Sequence, residues 1–197
     1  MVNMKIYYFI YSLFLSLFLF GCEDQISSSS DNQNHNNVLL TAKLKLVDVS
    51  ILADSAFTGL HLMGVYTDSI SVNGSAKRWN YIFLDASVMP PLTQSFYATS
   101  SVVQYDSVGT MPIGLSTITK RWFDSDSAMM FAEINGGSQF RSSYHNVLIE
   151  ATLQQDISSP NFVLSWWVTY HSDVVNNKKL ILEIDADNGT ILKKETL

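Results

Sequence analysis

Asp185, Asp187, Asn188 and Gly189 form the kind of alternating acidic run that opens a calcium-binding loop, where successive side-chain oxygens take the ion. The spacing departs from that loop. Glycine stands four residues after the first Asp instead of five, and the place due a bidentate Glu holds Thr196. These residues read instead as a type I′ turn between two strands. His171 and Asp173 lie two apart at a strand end, hence on one face, and His145 opens another strand that could lie nearby. Two imidazoles and a carboxylate could hold zinc or serve a hydrolytic site. With four histidines scattered through the chain, the plainer reading is surface residues with no ligand. A serine hydrolase would carry its nucleophile in a Gly-x-Ser-x-Gly turn, which the chain lacks. Asp124 and Asp126 read as helix caps rather than an acid–base pair. Gly136-Gly137 follows a helix instead of opening one, the wrong order for a phosphate loop. These patterns lead to an expectation of no catalytic residue, no metal and no cofactor.

The elements that would position such residues follow a pattern seen twice. Asp54-Ser55-Ala56 leads to Gly64, and Asp126-Ser127-Ala128 leads to Gly136 by the same step. Each stretch predicts a short helix with Asp as N-cap and Gly as a left-handed stop. In the second, Ala128, Phe131, Ala132 and Asn135 share one face, and Gly136-Gly137 ends the helix. Leu39 to Leu52 is apolar and reads as a preceding helix or strand, helix being preferred. After each helix the period changes from 3.6 to 2, the mark of strands. Residues 65–72 and 77–87 flank an Asn73-Gly74 turn, and 94–105 continues the sheet. In the second half strands are expected at 146–154, 162–171, 179–185 and 190–194, with Pro90-Pro91 and Pro160 between strands. The fold class predicted is α+β: two tandem helix-plus-antiparallel-sheet repeats, at 39–110 and 111–197, each sheet covered on one face.

On that plan Trp79, Tyr81, Trp166, Trp167 and Tyr170 lie on strands whose free face could bind protein or glycan. The alternative, preferred for Trp79 and Trp166, is that they face the helices as core. Strand alternation turns Trp167 away from Trp166, so if Trp166 is buried, Trp167 is the best candidate for an exposed anchor.

Lys179 to Glu195, KLILEIDADNGTILKKE, resembles the last hairpin of PepSY-type domains, an aliphatic strand, Asp-Ala-x-x-Gly, then a second aliphatic strand. The doubled order of capped helix and strands is also similar to the tandem repeats of secreted β-lactamase inhibitory proteins. Both resemblances imply small noncatalytic modules that bind or inhibit other proteins.

The amino terminus bears on location. After Lys5, residues 6–20 are an uninterrupted apolar run with nothing more polar than serine and tyrosine. A helix of that length rises roughly 22 Å, short of the roughly 30 Å hydrocarbon core, which suits a removed signal peptide over a permanent span. The run ends in Leu19-Phe20-Gly21-Cys22, which resembles the lipobox of bacterial lipoproteins; Phe20 stands where a small residue is commoner. The resemblance implies removal of residues 1–21, a diacylglycerol on the Cys22 thiol and an N-acyl chain on its amine. An uncleaved anchor with an incidental cysteine is the other reading. Residues 22–38 carry almost no aliphatic side chain after the cysteine, and are expected to act as a flexible tether.

Composition narrows the rest. Of 197 residues only 15% are charged and 47% are hydrophobic, which argues against a disordered chain. The net charge of −6 becomes −7 once Lys5 is removed, which argues against a nucleic-acid partner. The expected function is therefore a noncatalytic lipoprotein of the bacterial cell envelope, extracytoplasmic and membrane-attached through its lipid, that presents its body to an envelope protein partner. Two other readings are a hydrolase with a site near His145, His171 and Asp173, and a structural lipoprotein without a ligand. Mass spectrometry of the protein from its native host is expected to return a chain that begins at an acylated Cys22; an unmodified chain with its leader in place overturns the location.

Overall fold

Alternation of large apolar with polar residues, as in Trp79, Tyr81 and Phe83 against Asn80, produces strands that bury one face. The computed structural model describes residues 39–157, 162–173 and 177–197. Cys22, the leader, the tether and Pro160 lie outside the described residues. The strands are β1 (Leu60–Thr67), β2 (Trp79–Asp85), β3 (Leu92–Ala98), β4 (Val103–Thr110), β5 (Leu115–Ser116), β6 (Leu148–Asp156), β7 (Leu164–His171), β8 (Lys179–Asp185) and β9 (Ile191–Thr196). They form one antiparallel sheet in the order β4-β3-β2-β1-β6-β7-β8-β9, with the short β5 also paired to β6. The helices are α1 (Leu46–Ala56), α2 (Ser125–Ala132) and α3 (Ser138–Ser143), the last two joined by a π-helical turn at Glu133–Gly137. Among these residues no helix is long and apolar enough to cross a membrane.

The expectation of two tandem helix-plus-sheet repeats, each with its own sheet, is corrected by this architecture. β1 pairs with β6 through Gly64–Gln154, Val65–Leu153, Tyr66–Thr152 and Thr67–Ala151, so the strands on either side of Met111-Pro112 share one nine-stranded sheet. The plan implied by the PepSY and inhibitor resemblances does not hold. Local predictions moved as well. The first helix ends at Ala56 instead of beginning at Asp54, and Gly64 lies inside β1. Gly64 fits there because a Cβ would press to 3.3 Å from the Leu153 carbonyl oxygen across the β1–β6 pair. The Gly136-Gly137 pair does not end the helical segment; the chain passes through the π turn, with Gly136 at φ +128°, into α3.

The two helical segments cover the same face of the sheet. Phe57, just after α1, meets Phe96 of β3 edge-on at 6.3 Å, and Phe140 of α3 lies 6.1 Å from Tyr170 of β7. Between them runs a tryptophan chain: Trp79 lies 6.2 Å from Trp166, which lies 5.9 Å from Trp122. Edge-to-face contacts of this kind add to the burial of the rings.

A short strap ties the layers together. Leu40 pairs with Ala76 as an isolated bridge. The Trp79 indole donates to the Leu40 carbonyl at 2.7 Å and the Tyr81 hydroxyl to the Ala42 carbonyl at 2.8 Å. The Ala42 amide donates to the Ser125 hydroxyl at 3.0 Å, which in turn donates to the Gly74 carbonyl at 2.6 Å. Asp124 caps α2 and also accepts the Lys43 amide at 3.0 Å. Gly74, read in the sequence as a hairpin turn, is one, with φ +81° and its amide bonded to the Ser71 carbonyl at 3.0 Å between the antiparallel β1 and β2, and it also supports a helix. A Cβ there would sit 2.2 Å from the Asp126 backbone, so the start of α2 rests directly on it. Replacing Ser125 by Ala leaves a buried amide and a buried carbonyl unpaired and is expected to cost about 1–3 kcal/mol in urea unfolding, whereas Ser127→Ala on the exposed side should stay within about 0.5 kcal/mol.

Candidate binding face

The face of the sheet opposite the helices is built by the other half of each strand's alternation. Register places one residue from each of eight strands in a transverse row: Gln104, Tyr97, Asn80, Tyr66, Thr152, Trp167, Glu183 and Lys193. The aromatic residues of this row fall on β3, β1 and β7, every second strand, hence about 10 Å apart. Polar residues separate them. Each end is crossed by a cation: Arg78 stacks over Tyr97 at 4.1 Å and also pairs with Asp106 at 3.2 Å, while Lys193 lies 5.8 Å over Trp167 and 2.9 Å from Glu195. The bond to Glu195 raises the Lys193 ammonium above its ordinary pKa, keeping it charged.

Trp167 differs from every other tryptophan of the core. Its ring is half-buried, and its indole nitrogen is sealed from solvent with no hydrogen-bond partner. A buried donor in that state costs stability that a phenyl ring of similar placement would not.

The other aromatic candidates fall on the helix side. Trp79, Tyr81, Trp166 and Tyr170 are fully buried, so they are not surface anchors. Each has its polar tip engaged: Trp166 donates to the Phe123 carbonyl at 3.1 Å, and the Tyr170 hydroxyl donates to Glu133 at 2.9 Å. Glu133 also holds Arg141. The contact is close because the π turn brings Gly137 against the ring; a Cβ at Gly137 would lie 2.1 Å from the Tyr170 hydroxyl oxygen. Burial, with the Glu133 charge beside Tyr170, pushes both phenol pKa values well above their ordinary range. The alternation argument for Trp167 therefore meets its condition: Trp166 is buried, and Trp167 faces the other way.

The residues considered for metal or hydrolytic chemistry are not gathered. His171 bonds Glu150 at 3.0 Å across β6 and β7, and His145 stands exposed in the loop before β6. Among the described residues no three His, Cys, Asp or Glu side chains converge on a metal site. Asp185 is occupied by its own turn, accepting the Asp187 amide at 2.9 Å and the Asn188 amide at 3.3 Å. The type I′ expectation is corrected there: Gly189 alone of the turn has positive φ, at +78°, and the register slips by one between Glu183 and Ile184. Gly189 is required twice over, since a Cβ would also strike the Phe131 ring at 2.3 Å.

Sequence reading missed Tyr66 and Tyr97 as members of the row. Both sit in strands that were expected, out of phase with their buried neighbours. What joins them to Trp167 is the β1–β6 pairing, and no local pattern announces it.

No family model matches the chain, and no curated protein matches it. Among solved structures, the chain is similar to one from Clostridium difficile 630 described as a candidate lipoprotein, at 14% identity and a TM-score of 0.49, covering 77% of this chain and 91% of that one.

Trp167→Phe keeps an aromatic ring and removes the unpaired donor, so its unfolding free energy is expected to equal or exceed that of the parent. Trp79→Phe removes one of the two donors to the Leu40 carbonyl, the Ala76 amide remaining, and leaves space where a fully buried indole stood, and should lose about 1–3 kcal/mol in the same urea titration. Equal losses for the two variants would show that the Trp167 indole is satisfied after all.

Proposed function

We propose that the protein is a noncatalytic, lipid-anchored module of the bacterial cell envelope that binds another protein through the uncovered face of its sheet. The observation that carries the reading is Trp167: a half-buried ring with an unpartnered donor, in a row of aromatic and polar residues that no described helix covers. Such a mixture of flat aromatic area and fixed polar groups is what interfaces use, aromatic side chains being enriched there and the surrounding polar groups setting register. Lys193 and Glu195, both well exposed, form a weak surface pair over the ring, so an acidic group on a partner can draw Lys193 aside at little cost and uncover the indole. Anchoring and location rest on the apolar run ending in Leu19-Phe20-Gly21-Cys22. The noncatalytic reading is supported by the engagement of the candidate groups elsewhere, His171 with Glu150 and Asp185 with its turn.

Chemical cross-linking and affinity isolation of the full-length protein from detergent-solubilised native envelopes is the test. A stoichiometric partner is expected that is weakened by Trp167→Phe, which removes the donor, and lost, by about tenfold or more as expected for an aromatic hot spot, with Trp167→Ala, which removes the ring as well. Retention of that partner by Trp167→Ala, or a hydrolytic activity abolished by His171→Ala, overturns the reading.

A further inference from the structure

α1 buries Val49 and Ala53, the i and i+4 positions of one face. Its exposed side carries Asp48, Asp54 and Ser55 and, beside them, a row of aliphatic residues. Leu44, in the turn that precedes the helix, Val47 and Ile51 are 62, 68 and 65% exposed. The second helical segment repeats the feature with Met130 and Ile134, 51 and 76% exposed. Because both segments lie on the same face of the sheet, these side chains belong to the outward surface of one helix layer. Single exposed aliphatic residues are ordinary. A stripe at i, i+3 and i+7 that begins within the first turn of the body is the spacing of an amphipathic interfacial helix. Of the acidic residues beside it, Asp48 is paired with Lys45 at 2.8 Å and Asp54 stands at the end of the helix, after Ile51.

The chain leading into this stripe limits what can cover it. The strap fixes Leu40 and Ala42 to the core, so α1 starts a few residues after the tether ends. Sixteen residues lie between Cys22 and Leu39. A flexible chain of that length has a root-mean-square reach of about 20–25 Å, against a diameter of about 40 Å for a body of this size. A bilayer holding the Cys22 lipid therefore stays within reach of α1 at high effective concentration, and the far side of the body does not.

Resting on the lipid-anchor reading above, we infer that the Leu44, Val47 and Ile51 stripe of α1 lies on the surface of the bilayer that receives the Cys22 lipid, a second attachment that turns the Trp167 face away from the membrane. The contact is aliphatic. It works without the electrostatic attraction that an acidic protein lacks.

The mature full-length protein, acylated in its host, is reconstituted into phosphatidylcholine vesicles that contain spin-labelled phosphatidylcholine. Cys22 is the chain's one cysteine and its thiol carries the lipid, so a new cysteine can be labelled selectively with an environment-sensitive dye. A label at Val47→Cys is expected to show a blue-shifted emission and strong quenching by the spin-labelled lipid. A label at Leu148→Cys, exposed on the opposite face of the sheet, is expected to show neither. Adding Leu44→Ser and Ile51→Ser should abolish the shift at position 47 while the protein stays vesicle-bound through its lipid. Identical spectra at 47 and 148 on acylated, vesicle-bound protein overturn this inference and leave the anchor reading standing. A shift at 47 that grows with the protein-to-lipid ratio means a second copy covers the stripe, and also overturns it. Cys22 found without acyl chains overturns the anchor and this inference together.

Discussion

A polar group buried in a protein core must find a partner, and in this fold that demand converges on three residues of irregular chain. The carbonyls of Leu40 and Ala42 take the protons of Trp79 and Tyr81, while the Ala42 amide and the Gly74 carbonyl are joined through the Ser125 hydroxyl. None of these bonds belongs to the sheet. Removing the strap would orphan an indole and a phenol at once, each at about 1–3 kcal/mol, a large share of what a domain of this size has in reserve, while the Ser125 hydroxyl would keep its bond to Gly74. The strap therefore orders together with the core. It is also the segment through which any force on the amino terminus reaches the body, and it meets that force with hydrogen bonds to both helical segments' neighbourhoods and to the central strand β2.

The two faces of the sheet are built to different standards. On the helix side, the polar tips of Trp79, Tyr81, Trp166 and Tyr170 have acceptors, and glycines stand where a Cβ would collide with Asp126, the Tyr170 hydroxyl or the Phe131 ring. On the other side, side chains are half exposed, cations lie over two of the rings, and Trp167 keeps a proton with nowhere to put it. That division is what an antiparallel sheet with one covered face allows: packing decides one set of alternate residues and leaves the other set free for other demands.

How much of this was legible in the sequence depends on the range of the interaction concerned. The opposite directions of Trp166 and Trp167, and strands such as 79–85, 164–171 and 179–185, are set by period-two alternation and could be read directly, whereas β1 lies at 60–67 and not 65–72, and the stretch 94–105 divides between β3 and β4. Asp124 and Asp126 were recognisable as cap residues, and Asp124 is the one that caps α2. Gly64 was misread because a glycine in a sequence can mean either a left-handed turn or a close approach. It answers to Leu153, and Gly74, a turn residue as read, also meets Asp126; both contacts are far away in the chain. The same reason hid the single sheet. A stretch such as Tyr66 to Thr67 says that it is a strand, but its pairing with Thr152 and Ala151 is decided by burial summed over the whole fold.

The unpaired indole sets the open face apart energetically. Phenylalanine or leucine at 167 would fill similar space with no donor to desolvate. Within the described residues nothing offsets the burial of the indole nitrogen. The Lys193 arm lies over that ring and pairs with Glu195, a surface ion pair that contributes little to folding and covers part of the aromatic face. Cost and cover fall on one residue, and that residue lies on the face that the helices leave open.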